Sequence, residues 1–201
     1  MLTYRVRRLP TAEDEDARRY HLFDRSDQLL LVADQGSAWL PDGEAPQVRF
    51  SGPGGTRRAS MDLPRSGDHR QGKKQNFAII FEHAVYALIT AMDLSSGTSP
   101  LIPQPSTTGK FDRLSIEVEG NRWLALRGIG GEEGPLLTLY DADAADLSVT
   151  VDPESADLPE PIGLIEKETG DYQFGLTLPA GRLAQGPLLG LALVYLIDSR
   201  D

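Results

Sequence analysis

No cysteine occurs among the 201 residues. Disulfides, thiolate nucleophiles and cysteine-ligated zinc are thereby excluded together, and the composition fits a reducing compartment. Basic charge is also scarce: 20 Lys and Arg stand against 30 Asp and Glu, a net charge of -10. Broad, sequence-independent nucleic-acid binding depends on neutralising many phosphates and is not expected. General attraction to an anionic membrane is weakened as well, although a local basic patch can still act. The N-terminal stretch MLTYRVRRLPTAEDED has no apolar core of the kind a secretory signal needs, so a cytoplasmic location is expected, at most peripheral to a membrane. No G-x-S-x-G elbow, Walker A loop or H-E-x-x-H pair is present. His21, His69 and His83 lack metal-ligand spacing and read as surface or packing residues. No enzyme activity, cofactor or metal site is expected from these residues.

What the chain does have is one long apolar run near its end, GPLLGLALVYLI (186–197), followed by Asp198. A helix that is hydrophobic all round must be enclosed by protein or lipid. At 12 residues the run is too short for a bilayer, which takes roughly 20. Pro187 suits the first turn, where its missing N–H would lack a partner anyway. No transmembrane segment is expected.

The rest reads as short β-strands, over 2–8, 19–24, 28–34, 47–51, 57–63, 76–82, 84–93, 110–120, 121–128, 135–142, 147–151, 161–168 and 171–179. In FDRLSIEV (111–118), Phe111, Arg113, Ser115 and Glu117 fall on one side and Asp112, Leu114, Ile116 and Val118 on the other, the period-two pattern of a sheet with one wet face. In NRWLALRG (121–128), Trp123, Ala125 and Arg127 likewise alternate with Arg122, Leu124 and Leu126. Glu119-Gly120-Asn121 and Glu168-Thr169-Gly170-Asp171 have the chemistry of tight hairpins. Two stretches, 95–109 and 152–161, are rich in proline and polar residues and read as long surface loops. The simplest arrangement is a mainly β, closed antiparallel barrel around the C-terminal helix near 186–198, with the whole of 1–201 as one domain.

The densest basic stretch, 56–74, holds Arg57, Arg58, Arg65, Arg70, Lys73 and Lys74. Arginine forks match phosphate oxygens, so these six are the candidate site for an anionic ligand or lipid headgroup. GIGGEEG (128–134) lacks the third glycine of a dinucleotide fingerprint and reads as a turn. DADAADLSVTVD (141–152) opens like a calcium loop but has Asp146 where an EF-hand needs glycine. Trp39 and Trp123 read as core or barrel-wall residues.

The pairing of DYQFGLTLPAG (171–181) with GPLLGLALVYLID (186–198) resembles the tubby C-terminal-like superfamily, and within it the LURP-one-related proteins and phospholipid scramblases. YHLFDRSDQLLLVA (20–33) looks like the family's early hairpin, and PIGLIEKETGDYQF (161–174) like its late one. The resemblance runs from about residue 15 onward. It implies a closed barrel of 12 strands threaded by the C-terminal helix, which ends here at Ile197-Asp198. It also implies association with phosphoinositide or phospholipid headgroups; with the catalytic signatures missing, the expectation is a non-enzymatic binding module for such a headgroup or another anionic ligand. The alternative from a different class is a scaffold domain that uses its long loops on a protein partner.

Overall fold

A computed structural model describes residues 2–9, 18–35, 47–63, 75–92, 113–128, 134–143, 158–168, 170–177, 183 and 185–198. They form β1 (Leu2–Leu9), β2 (Arg19–Phe23), β3 (Leu29–Gln35), β4 (Gln47–Ser51), β5 (Arg57–Asp62) and β6 (Gln75–Phe81). The order continues with β7 (Ala84–Met92), β8 (Arg113–Val118), β9 (Asn121–Arg127), β10 (Leu137–Asp141), β11 (Gly163–Glu168), β12 (Asp171–Leu176) and the helix α1 (Gly186–Asp198). Each strand pairs antiparallel with its sequence neighbours. β1 then pairs β12, from Leu2↔Leu176 to Arg7↔Asp171, and closes the barrel. The expected strand at 147–151, Trp39, and the loop at 95–109 lie outside the described residues. The strands flanking that loop, β7 and β8, pair directly.

Period-two patterning explains the wall. Val6, Tyr20, Leu22, Val48, Phe50, Phe77, Ile79, Leu114, Ile116, Tyr172 and Phe174 alternate with more exposed neighbours and are at most 2% exposed. Every strand contributes such residues to one core cluster, and α1 shares it. All but Pro187 of the 13 helix residues are buried. A helix buried along its length in a cluster to which every strand contributes lies inside the barrel, where an apolar surface without a polar stripe belongs.

One expectation fails in part. The alternation in β9 predicts one wet face, but Trp123, Leu124, Ala125 and Leu126 are all buried. Trp123 and Ala125 face the core, while Leu124 and Leu126 form an outer cluster with Tyr140 and Ala142. Leu158, just before β11, packs over it. Alternation shows that a strand has two faces, but it does not show that a later segment covers the second one.

The two barrel ends differ. At one end sit the tight turns β2–β3, β4–β5, β6–β7 and β8–β9. Glu119 and Gly120 have φ of 49° and 78°, and Glu82 and His83 have φ of 47° and 68°. Such paired left-handed residues match the twist of hairpin strands. Gly120 is expected there; Glu82 and His83 carry no local signal for it. The helix enters from this end, after Leu176, and finishes at the other with Asp198. No described helix is long and apolar enough to cross a membrane.

Candidate functional site

Strand β5 carries two of the six basic residues of the candidate site. Arg57 and Arg58 are exposed at its first two positions, beside the β4–β5 turn. The connection that carries Arg65, Arg70, Lys73 and Lys74 leaves from the other end of β5, after Leu63, and returns at Gln75. With a rise of ~3.3 Å per residue, those ends are roughly 17 Å apart. Arg65, Arg70, Lys73 and Lys74 themselves lie outside the described residues, as does His69.

The register adds a residue that the sequence does not single out. Val48 and Phe50 point into the core at 0% exposure, so Arg49 between them stands on the outer wall. Arg49 is opposite Ser60, two residues along β5 from Arg58. Diagonal neighbours of that kind are ~7–8 Å apart, which two long side chains can span. A bulge between Phe50 and Ser51 adds one residue to β5 there, and the two consecutive arginines are both exposed. Bulges re-aim side chains in this way. The Arg58 guanidinium lies against Gly52, where a Cβ would come within 3.2 Å of its Nε. The turn from Gly52 to Thr56 is held by the Gly52 N–H donating to the Thr56 carbonyl and the Gly55 N–H to the Gly52 carbonyl.

Other arginines are committed. Arg7 donates to Asp171 at 3.2 Å, Arg122 to Asp143 at 2.7 Å, and Arg5 and Arg19 to Asp27 and Asp34. Among the described residues, no ion pair engages Arg49, Arg57 or Arg58. Asp34 stands opposite Arg49 in the β3–β4 register but is itself paired with Arg19, and arginines placed in this way can receive an anion with several oxygens.

The remaining candidates have structural duties. Asp143 accepts from the Arg122 backbone N–H at 2.9 Å and from its Nε; these hydrogen bonds hold its carboxyl below the usual range. The Asp143 N–H donates to Asp141. The start of the acidic stretch is therefore a turn closed onto β9. His83 occupies a hairpin turn. His21 lies on the outer wall opposite Arg7, and burial, Arg19 and Arg7 together lower its pKa. Trp123 is in the core.

Asp198 is a further polar centre, at 5% exposure. Tyr20 and Tyr172 donate their hydroxyls to its carboxylate, and Arg8 donates to the same group at 3.2 Å. Arg18 donates to its backbone carbonyl at 3.2 Å. A carboxylate at a helix C-terminus opposes the helix dipole, and here Arg8 of β1 and Arg18 just ahead of β2 offset it, since the last turn of α1 has no basic residue. The group is internally satisfied.

Comparison with known proteins yields no match to a family, to a curated protein or to a solved structure.

Proposed function

We propose that the protein is a non-enzymatic binding module of the tubby C-terminal-like type, which takes an anionic phosphate-bearing ligand, a phospholipid or phosphoinositide headgroup, on the outer wall of β4–β5. The observation that carries this reading is the trio Arg49, Arg57 and Arg58, exposed on neighbouring positions of β4 and β5 and in no ion pair among the described residues, Asp34, which faces Arg49 in register, being held by Arg19. The closed barrel filled by a helix is also the architecture that the resemblance implies. An overall charge of -10 favours a local arginine cluster over general basicity as the means of holding an anion.

Co-sedimentation with phosphatidylcholine vesicles, with and without a phosphatidylinositol phosphate, tests it. The wild type pellets only with the phosphoinositide, and Arg49→Glu/Arg57→Glu/Arg58→Glu weakens that binding at least ~10-fold, as losing several charge-assisted contacts requires. Equal pelleting of both proteins, or of neither, removes the headgroup reading. Lys73→Glu/Lys74→Glu decides whether the connection after β5 contributes. Stoichiometric capture of one protein by wild type and triple variant alike favours the scaffold reading.

A further inference from the structure

The wall that carries Arg49 also carries two carboxylates within its reach. Along β4, Val48 and Phe50 face the core, so Gln47 and Arg49 stand outward. On β3, Asp34 follows buried Ala33 and lies directly opposite Arg49. On β5, Ser60 is opposite Arg49, and Asp62, two residues along the same face, is its diagonal neighbour. Directly opposed side chains have Cβ atoms about 4.5–5.5 Å apart and diagonal ones about 7–8 Å, both within the span of an arginine. Opposite charges so placed attract.

Neither pair forms. Asp34 accepts instead from Arg19, its register partner on β2, whose Nη2 and Nε lie 2.5 Å and 3.2 Å from Oδ2. Asp62 accepts from the Gln47 side-chain amide, its register partner on β4, at 2.8 Å. Arg19 therefore draws Asp34 toward β2 and away from β4. Gln47 holds Asp62 straight across the β4–β5 pair, off the diagonal that leads to Arg49. Each carboxylate beside Arg49 has its own holder.

We propose that Arg19 and Gln47 are positioning residues of the anion site: each binds a carboxylate that otherwise pairs with Arg49 and closes the arginine trio to a phosphate group. The inference rests on the trio being the ligand site, and it adds two residues that act there without touching the ligand. Arg19 is two strands from Arg49, ~10 Å at the usual spacing, on the side away from β5 and its Arg57 and Arg58. It acts through Asp34. Gln47 is uncharged, so its loss leaves the field of the wall unchanged and acts through Asp62. An exposed ion pair shifts an equilibrium by up to about 5-fold, which sets the size of the effect when Arg49 is captured.

Co-sedimentation of the full chain with phosphatidylcholine vesicles carrying a phosphatidylinositol phosphate tests it, with circular dichroism confirming the fold of each variant. Gln47→Ala, which leaves the net charge as it is, is expected to weaken binding about 3-fold, and Arg19→Gln by at least as much. Once the competing carboxylate is gone, the holder no longer matters: on top of Asp62→Asn, Gln47→Ala weakens binding less than ~1.5-fold, and so does Arg19→Gln on top of Asp34→Asn. Full ~3-fold losses in those backgrounds, or single variants that bind like the wild type, overturn the proposal. Vesicles that the wild type itself does not bind remove the headgroup reading, and crystal structures of Gln47→Ala and Arg19→Gln then decide this one. Asp62 in the first and Asp34 in the second are expected ~2.7–2.9 Å from the Arg49 guanidinium. Carboxylates that stay away from Arg49 in both structures overturn the proposal.

Discussion

At the residue scale, the helix fits its barrel through positions where even one methyl is too much. A Cβ on Gly190 would sit 2.0 Å from Cδ1 of Phe174 and 2.2 Å from Cε1. Phe174 cannot yield easily: it is 0% exposed, and its ring stacks on Tyr4 with centroids 6.2 Å apart. Overpacking a close-packed core typically costs about 1–3 kcal/mol, and an overlap this severe belongs at or above the upper end. Gly190→Ala is therefore expected to destabilise by about 3 kcal/mol or more, a fall in Tm of roughly 6–12 °C for a chain of this size. Gly54→Ala is the control, because its added methyl meets nothing within 4 Å. Thermal denaturation of the two variants checks the contrast. If both melt with the wild type, Gly190 is not a contact that sets how deeply the helix seats.

At the element scale, α1 is the centre of the core, and its burial has a sharp consequence. Leu193 is 0% exposed in the middle of a helix whose neighbours are all apolar. An aspartate there would bury a charge with no partner, which costs more than a domain's net stability of about 5–15 kcal/mol can absorb without the group neutralising or the fold opening. Leu193→Asp is expected to yield no soluble, folded protein, whereas the volume-conserving Leu193→Met costs less than about 1.5 kcal/mol. Soluble yield and circular dichroism distinguish them. The helix is legible in the sequence because a continuous apolar run admits few solutions, and the described strands because alternation and turn residues are local signals. Glu82 and His83 escape such a reading, since neither advertises a left-handed turn. The site is less legible. Arg57 and Arg58 stand out as a dense pair, but Arg49 acquires its place beside them only through the β4–β5 register. The Asp198 cluster joins residues 178 and 26 positions apart, a proximity that no sequence window contains.

At the scale of the whole molecule, the tyrosines spread through the core make the fold sensitive to alkali. Tyr20, Tyr86 and Tyr195 all have raised pKa values, in each case chiefly because burial penalises the phenolate. Tyr195, whose hydroxyl donates to Gln35, is pushed up to about 12 from an ordinary 10.0. For a group whose pKa is higher folded than unfolded, the contribution to stability is complete below the unfolded value and disappears as pH rises through the folded one. Tyr195 alone is thus expected to lose about 2–3 kcal/mol between roughly pH 10 and 12, because each tenfold change in an ionisation constant is worth about 1.36 kcal/mol. The net charge of -10 grows more negative over the same range and acts in the same direction through self-repulsion, so a falling wild-type curve is not diagnostic by itself. Tyr195→Phe separates the two effects. It gives up the Gln35 hydrogen bond and starts less stable at pH 8, but it has no phenol to ionise. Its deficit relative to the wild type should shrink steadily in urea unfolding measured at pH 8, 10 and 11.5. Two curves that stay parallel across that range would mean the Tyr195 hydroxyl is open to water, and the helix less completely enclosed than its 1% exposure implies.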